Sequence, residues 1–328
     1  MDAPLGTLYT VDDRPTLRFE RRLAHAPEKV WNAVTDPAEM SHWFPASVEA
    51  ELRIGAPMRF SFGVAEFDAG GRYADGEILE VDPPKVYAFW WLDDVYRFEV
   101  VPDGTGCRLI FTCTLSGKGD ESDRPSIART APGWDACLGT MVARLGGSAA
   151  PVMDDAWLLE RAECYIEQFG LAEGQLLGAG DRYVARFERD LTQPLDRVWA
   201  TLTGQEEYLA AGASPPVSAT HGYVATGAVT EHEPPHVLEY VWHHDDEPAG
   251  RVRFELRDQN PLGTRLVLTH SLPAPLGGLV STVLAAWQTH LELFFAALHG
   301  DVRCPWPAER TEQLEKMYAT RLSDDSLR

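Results

Sequence analysis

Two groups of side chains in this 328-residue chain are of types that hold ligands or do chemistry. The first is aromatic. Trp43, Phe60, Phe62, Tyr87, Phe89, Trp91, Phe98, Phe111 and Trp134 all fall in the first half, with Cys113, Cys137 and Met141 at neighbouring positions. Such rings either wall an apolar pocket for a flat ligand or fill a core. The second group is imidazole. Eight of the ten histidines lie in the second half: His221, His232, His236, His243, His244, His270, His290 and His299. An imidazole offers a donor, an acceptor or a metal ligand near neutral pH. His270 and His290 sit where a strand and a helix can set them face to face, among Tyr240, Trp242, Trp287 and Phe294. His243-His244-Asp245-Asp246 adds potential metal ligands. These two histidines read as a solvated strand end, however, and no metal or other cofactor is expected. His232 and His236 flank a proline turn and read as surface residues.

Two further features are weaker. Arg59, Arg72, Tyr73, Arg97 and Arg108 fall on strands, where a donor beside an apolar wall polarises a carbonyl. Pairing with Glu or Asp on an exposed sheet face is the commoner role. The polar stretch Ser116–Pro132 is longer than an ordinary connection and reads as a lid or a surface loop. Its Gly-x-Gly lacks the strand-to-helix setting of a phosphate loop.

The elements that must position these residues follow from periodicity. Leu17–Leu23 alternates as a strand. Ala26-Pro27-Glu28 opens a helix with Val30, Trp31 and Val34 on its buried stripe, and Asp36-Pro37 opens a short second helix. Strands follow around Met58–Phe62, Arg72–Val81, Val86–Trp91, Tyr96–Val101 and Cys107–Leu115. A long helix from about Ala131 to Gly146 carries Trp134, Leu138, Met141, Val142 and Leu145 on one face.

This set of elements occurs twice. Arg18–Thr35 and Arg186–Thr203 share eight identical positions without a gap, where chance gives roughly one. The echo continues through Trp91 and Trp242, Arg108 and Arg265, Trp134 and Trp287, and Tyr165 and Tyr318. The copies differ in one place: 45 residues separate Trp31 from Gly76, but only 28 separate Trp199 from Gly227. The shorter copy lacks the counterpart of about Trp43–Phe62, roughly a helix turn and a strand.

Composition excludes some functions. A net charge of -21 disfavours nucleic acid and anionic membrane surfaces. No apolar run approaches the ~20 residues of a membrane span, and Met1-Asp2-Ala3-Pro4 lacks the features of a signal peptide. The five cysteines, Cys107, Cys113, Cys137, Cys164 and Cys304, have no metal or redox spacing and read as reduced thiols of a cytoplasmic protein. Lysine occurs only at positions 29, 85, 118 and 316.

The phrases Val30-Trp31-Asn32-Ala33-Val34-Thr35-Asp36-Pro37, His42-Trp43-Phe44, Gly71-Arg72-Tyr73, Gly76–Pro84 and Gly133-Trp134 resemble the Hsp90-ATPase-activator-homologue branch of the START/Bet v1-like (SRPBCC) superfamily. The resemblance implies an α+β chain of two tandem helix-grip domains. In each, a curved antiparallel sheet wraps a long C-terminal helix, with two short helices after the first strand. The expected division is an N-terminal extension over 1–14, a first domain over 15–150, a helical connector over 151–180, a shortened second domain over 181–300 and a helical tail over 301–328. Helices are expected from about Asp154 to Phe169 and from Ala308 to Leu322.

The implied function is binding, sequestration or transport of a hydrophobic, aromatic or polyketide-like molecule in an internal cavity, with roles in natural-product biosynthesis or self-resistance. A didomain polyketide aromatase/cyclase and an Hsp90-type co-chaperone are the alternatives. The first copy is expected to hold the better-enclosed pocket. The second should be collapsed or open, unless Tyr208, Leu209 and Pro215-Pro216 fill the gap.

Overall fold

Alternating apolar residues build the first sheet. The computed structural model describes residues 4–63, 75–119, 122–179, 181–204, 209–210, 212–260 and 262–325, so Gly71-Arg72-Tyr73 and Tyr208 lie outside the described residues. The chain divides into two units, Met1–Tyr165 and Ile166–Arg328.

In the first unit, β1 (Thr7–Val11) and β2 (Arg14–Leu23) lead to α1 (Pro27–Thr35) and α2 (Pro37–Met40). β3 (Ser47–Ala50), β4 (Pro57–Ser61), β5 (Asp75–Asp82), β6 (Val86–Trp91), β7 (Asp94–Asp103) and β8 (Gly106–Thr114) follow, then α3 (Ile127–Leu145) and α4 (Asp155–Gln168). The sheet order is β1-β2-β8-β7-β6-β5-β4-β3, antiparallel throughout. The two short helices therefore carry the chain from β2 to the far edge of the sheet. Asp36 makes the bend between them. Its carboxylate accepts the Ala38 N–H at 2.9 Å, and Pro37 needs no partner at the first helical position.

The period of two sends Asp94, Tyr96, Phe98 and Val100 of β7 inward, with Cys107, Leu109, Phe111 and Cys113 of β8. α3 lays Trp134, Leu138 and Met141 against that face. It begins earlier than expected, at Ile127, because Ile127, Ala128 and Ala131 are all buried; Pro132 is accommodated inside the helix. The stretch expected as a lid is correspondingly shorter, and it is tied down. Gly119 N–H donates to Asp13, Asp123 N–H to the Ser116 carbonyl, and Ser116 N–H to Asp94.

The second unit contains β9 (Gln175–Ala179), β10 (Arg182–Leu191), α5 (Leu195–Thr203), β11 (Ala225–Glu233), β12 (Val237–His244), β13 (Glu247–Asp258), β14 (Thr264–Pro273), α6 (Val280–Leu298) and α7 (Ala308–Asp325). Its order is β11-β12-β13-β14-β10-β9. Among the described residues it has no counterpart of α2, β3 or β4, so two strands are missing there rather than one. Two other expectations need correction. The N-terminal extension contains β1, and the helical connector ends in β9. Both are edge strands with little burial, so neither carries the alternation by which strands are read.

The units repeat three devices. Hairpin turns with two residues in the left-handed region, Leu92-Asp93 and Asp245-Asp246, join β6 to β7 and β12 to β13. Lys29 of α1 donates to the Leu145 carbonyl at the end of α3 (2.8 Å), and Arg197 of α5 donates to the Leu298 carbonyl at the end of α6 (2.7 Å). Each places a cation at the negative end of a long helix. The third is a tyrosine latch. Gly6 N–H donates to the Tyr165 hydroxyl at 2.9 Å, which donates to Asp135 of α3 at 2.5 Å. Gly174 N–H donates to the Tyr318 hydroxyl at 2.8 Å, which donates to Gln288 of α6 at 2.7 Å. Glycine is required at both latches. A Cβ at Gly6 would stand 2.7 Å from Phe19, and one at Gly174 would stand 2.4 Å from Phe187.

Candidate functional site

The inward aromatic residues of the first unit meet one another. Phe60 stacks on Trp91 with ring centroids 4.6 Å apart, and Phe62 lies 5.9 Å from Trp91. Phe98 and Phe111 are 4.6 Å apart, and Phe111 and Trp134 are 4.5 Å apart. Tyr87 and Phe89 continue the block at 5.4 Å. Trp43 packs 6.1 Å from Phe98 and donates its indole N–H to the Ala33 carbonyl at 2.9 Å. Two rings that the sequence reading left out of the site complete the block. Phe44 lies 5.6 Å from both Trp91 and Trp134, and Tyr96 lies 5.3 Å from Trp134. Met141 is buried and Cys137 half-buried farther along α3.

One polar group enters this block. Asp94 accepts the Ser116 N–H at 2.7 Å and faces the Tyr96 hydroxyl at 3.4 Å. Burial pushes its carboxyl up to about 7, and nearby Asp123 adds to the effect. Tyr96 and Cys113 are cross-strand partners, and burial raises both of their proton affinities.

The second unit replaces this polar end. Gly250 stands at the position of Asp94, Val252 at that of Tyr96, His270 at that of Cys113 and His290 at that of Cys137. His270 pairs with Val252 and Ala185, as Cys113 pairs with Tyr96 and Leu17. A side chain at Gly250 would collide with the Ser271 carbonyl, 2.1 Å from its Cβ, and with the Trp242 indole N–H that donates to that carbonyl at 2.9 Å.

Three buried imidazoles surround Trp287 of α6. His221, His290 and His270 have ring centroids 4.3, 5.3 and 6.2 Å from it. Trp242 lies 4.9 Å from His270, Phe254 5.6 Å from Trp287 and Phe294 6.4 Å from His290. The Trp287 indole N–H donates to His270 Nδ1 at 2.9 Å. Tyr223 N–H donates to His221 Nδ1 at 3.1 Å. The Nε2 atoms of all three rings are buried without a hydrogen-bonding partner among the described residues. Desolvation lowers all three pKa values, His270 to about 3 and His290 to about 4, and at His221 the other two rings add to it.

The side of this unit left bare by the missing strands is covered. Leu209, Pro215, Pro216 and Ala219 are buried there. Tyr240 donates to the Ala219 carbonyl at 2.8 Å, and Ser218 donates to the Leu202 carbonyl at 2.7 Å. His221 comes from the same segment. It lies outside any periodic element, so sequence reasoning did not place it in the site. The remaining expectations fall elsewhere. Asp245-Asp246 is a hairpin turn with His244 beside it at the surface. Arg97 pairs with Glu80 and Glu99, and Arg108 with Glu20, while Arg59 is exposed. A buried arginine went unread: Arg21 pairs with Asp135, which also binds Arg161 at 2.6 Å and is held by the Tyr165 latch.

The pattern of the activator of Hsp90 ATPase homolog 1-like protein family matches residues 24–146 and 195–299. The chain belongs to that family and is a tandem α+β protein of its helix-grip type. No curated protein matches it. Among solved structures, it is similar to EF2215 from Enterococcus faecalis, a conserved protein of unknown function, at 16% identity and a TM-score of 0.42, over 50% of this chain and 90% of that one. CalU16 from Micromonospora echinospora matches at 17% identity and 0.41, over 52% and 98%. DynU16, a protein of the dynemicin biosynthetic locus, matches at 16% identity and 0.37, over 88% and 97%. No helix among the described residues is long and apolar enough to cross a membrane.

Proposed function

We propose that this member of the family binds a hydrophobic, aromatic small molecule inside its second unit and carries or sequesters it, as a protein of natural-product metabolism would. One observation carries the reading: three buried imidazole Nε2 atoms, around one tryptophan, have no hydrogen-bonding partner among the described residues. Each buried polar atom left unpaired costs about 1–3 kcal/mol, so three around one aromatic ring favour a place that takes up a guest. Trp242, Phe254, Trp287 and Phe294 supply apolar walls around it. The first unit is the packed partner. Its rings contact one another, and its buried carboxyl is already hydrogen-bonded. The first unit was expected to hold the better pocket because it keeps Asp36–Phe62 and the loop before its long helix; the cover that residues 212–221 give the second unit favours the second instead.

Binding rather than turnover is the role assigned. Imidazoles with pKa values near 3 and 4 are poor proton acceptors at neutral pH, which disfavours the cyclase alternative. The test is native mass spectrometry of the full chain, gently purified and then challenged with a panel of aromatic molecules. One retained or added small molecule per chain is expected, and it should be lost in His270→Phe. A chain that retains nothing and takes up no panel member overturns the reading.

A further inference from the structure

We infer that residues 212–223 form an acid-released cover over the interior of the second unit, with His221 as its trigger: when this imidazole takes up a proton, the segment leaves Trp287 and admits water to His270 and His290. The inference concerns the cover alone and stands whether or not the unit holds a guest. Its basis is which nitrogen does the bonding. His221 Nδ1 accepts the Tyr223 backbone N–H at 3.1 Å, so that nitrogen is bare and the ring proton sits on Nε2. An imidazolium carries a proton on both nitrogens and accepts nothing. Protonation therefore sets two donors against each other inside the segment. His270 is held in the same way, its Nδ1 accepting the Trp287 indole N–H at 2.9 Å, so a proton there also breaks a bond.

Nothing nearby compensates the new charge. His221 is 8% exposed, with its ring 4.3 Å from that of Trp287. The titratable groups that face it are His270 of β14, His290 of α6 and Tyr223 of its own segment, with Tyr240 of β12 bonded to the Ala219 carbonyl beside it. No carboxylate among the described residues acts on any of the three rings. Charged groups on the surrounding elements pair with one another instead: Glu292 of α6 with Arg310, Glu239 of β12 with Arg251, Glu255 of β13 with Arg253 and Arg265 of β14 with Asp190. Residues 212–223 themselves contain no Asp, Glu, Lys or Arg. Like charge from the other two rings would only add to the cost of a proton held inside.

Of the three rings, His221 is the one that can leave. His270 lies in β14, paired on both sides by β10 and β13, and His290 lies within the nineteen-residue α6, so freeing either dismantles the sheet or the helix. The segment of His221 crosses no sheet. Beyond its own turns it is held by Gly212 N–H on the Val229 carbonyl at 3.0 Å, by the Ser218 and Tyr240 hydroxyls, and by the Tyr223 ring 5.7 Å from Trp306. Gly212 and Gly222, both in the left-handed region with open space where a Cβ would stand, give it pivots at its two ends. The sign follows from burial. An imidazole held below its ordinary 6.5 favours the closed cover fully above that pH, and the preference is lost as pH falls below it. Each ring that opening exposes raises the open fraction about 25-fold between pH 7 and pH 5.

The experiment is residue-resolved amide exchange of the full chain at pH 7 and pH 5, corrected for intrinsic rates. The Ala219, Thr220 and Tyr223 N–H groups, each hydrogen-bonded inside the segment, should lose at least about 25-fold in protection. The opening should be insensitive to dilute urea, with β14 amides at least about tenfold better protected at pH 5, as a local event requires. His221→Phe keeps a ring and removes the proton site, so its loss between the two pH values should be smaller by about 25-fold. The ratio is read within each protein, so a variant whose cover is looser at both pH values still answers the question. In the unaltered chain, nitrogen NMR of labelled histidines should show His221 gaining its second proton in step with the loss of protection. Unchanged protection of the segment, a loss shared with β14 at one urea dependence, or a full acid response in His221→Phe overturns the inference.

Discussion

The two units have one fold and opposite interiors. At matched positions, the first places Asp94, Tyr96, Cys113 and Cys137, and the second places Gly250, Val252, His270 and His290. The first closes its inner face with ring-on-ring contacts around Trp134 and gives its buried carboxyl a backbone donor. The second keeps the tryptophan, as Trp287, but surrounds it with imidazoles that are only half satisfied. Duplication supplied a framework that does not depend on what lies inside. The helix-end cation, the hairpin turn and the tyrosine latch recur in both units, so the two interiors are free to differ.

The largest effect that sharpens the contrast is in packing. Phe111→Ala in the first unit should cost about 3–5 kcal/mol of stability, read by urea unfolding, and leave the affinity for a small aromatic probe, phenol, unchanged in the folded fraction. Leu268→Ala at the matched position of the second unit should cost less, about 2–4 kcal/mol, and weaken phenol binding through the walls it supports. If phenol binding is lost in the Phe111 variant and kept in the Leu268 variant, the roles of the two units are reversed.

Acid should pull the units apart. Asp94 has a raised carboxyl, about 7 folded against 3.8 unfolded. Its contribution is fully present below 3.8 and is lost as pH rises through about 7, so the first unit gains stability as pH falls from 7 to 5. His270 and His290 are lowered to about 3 and about 4 from 6.5, and their contribution is lost as pH falls below 6.5. The second unit therefore weakens over the same interval. Each proton is worth about 1.4 kcal/mol per pH unit at most. Amide exchange read separately in β7–β8 and β13–β14, corrected for intrinsic rates, should move in opposite directions, and Asp94→Asn should flatten the first trend. Parallel movement of the two units would break the comparison.

The latches should be alike but unequal. Tyr165→Phe leaves the Gly6 N–H unpaired and takes a donor from Asp135, whereas Tyr318→Phe leaves the Gly174 N–H and a neutral amide. Losses of about 1–3 kcal/mol are expected, the larger at Tyr165 because its acceptor is charged. Smallest of all, Arg97→Ala on the outer face should change stability by less than about 1 kcal/mol, as exposed ion pairs do.

The architecture was legible because it is written in periodicity. Leu17, Phe19 and Leu23 alternate, Trp134, Leu138 and Met141 recur at helical spacing, and both patterns repeat in the second unit. The edge strands β1 and β9 are barely buried and carry no such pattern, and β3 is only four residues long, so all three went unread. Ile127–Ala131 was hidden behind Pro132, since a proline reads as a helix start even where buried neighbours extend the helix. The candidate site was half legible. His270 and His290 could be placed by alignment with Cys113 and Cys137, but His221 lies on an irregular segment whose position depends on contacts with α5 and β12. The buried pair Arg21 and Asp135 was missed because charge signals surface, and only the tertiary fold shows each to be the other's partner.

The central claim is that the second unit's interior, and not the first's, receives the ligand. Indole-resolved NMR of nitrogen-labelled tryptophans during a phenol titration tests it most directly. The account predicts that the Trp287 indole N–H resonance, held by His270, shifts with phenol occupancy while that of Trp134 stays still. A shift at Trp134 or Trp91 with Trp287 unmoved would contradict it.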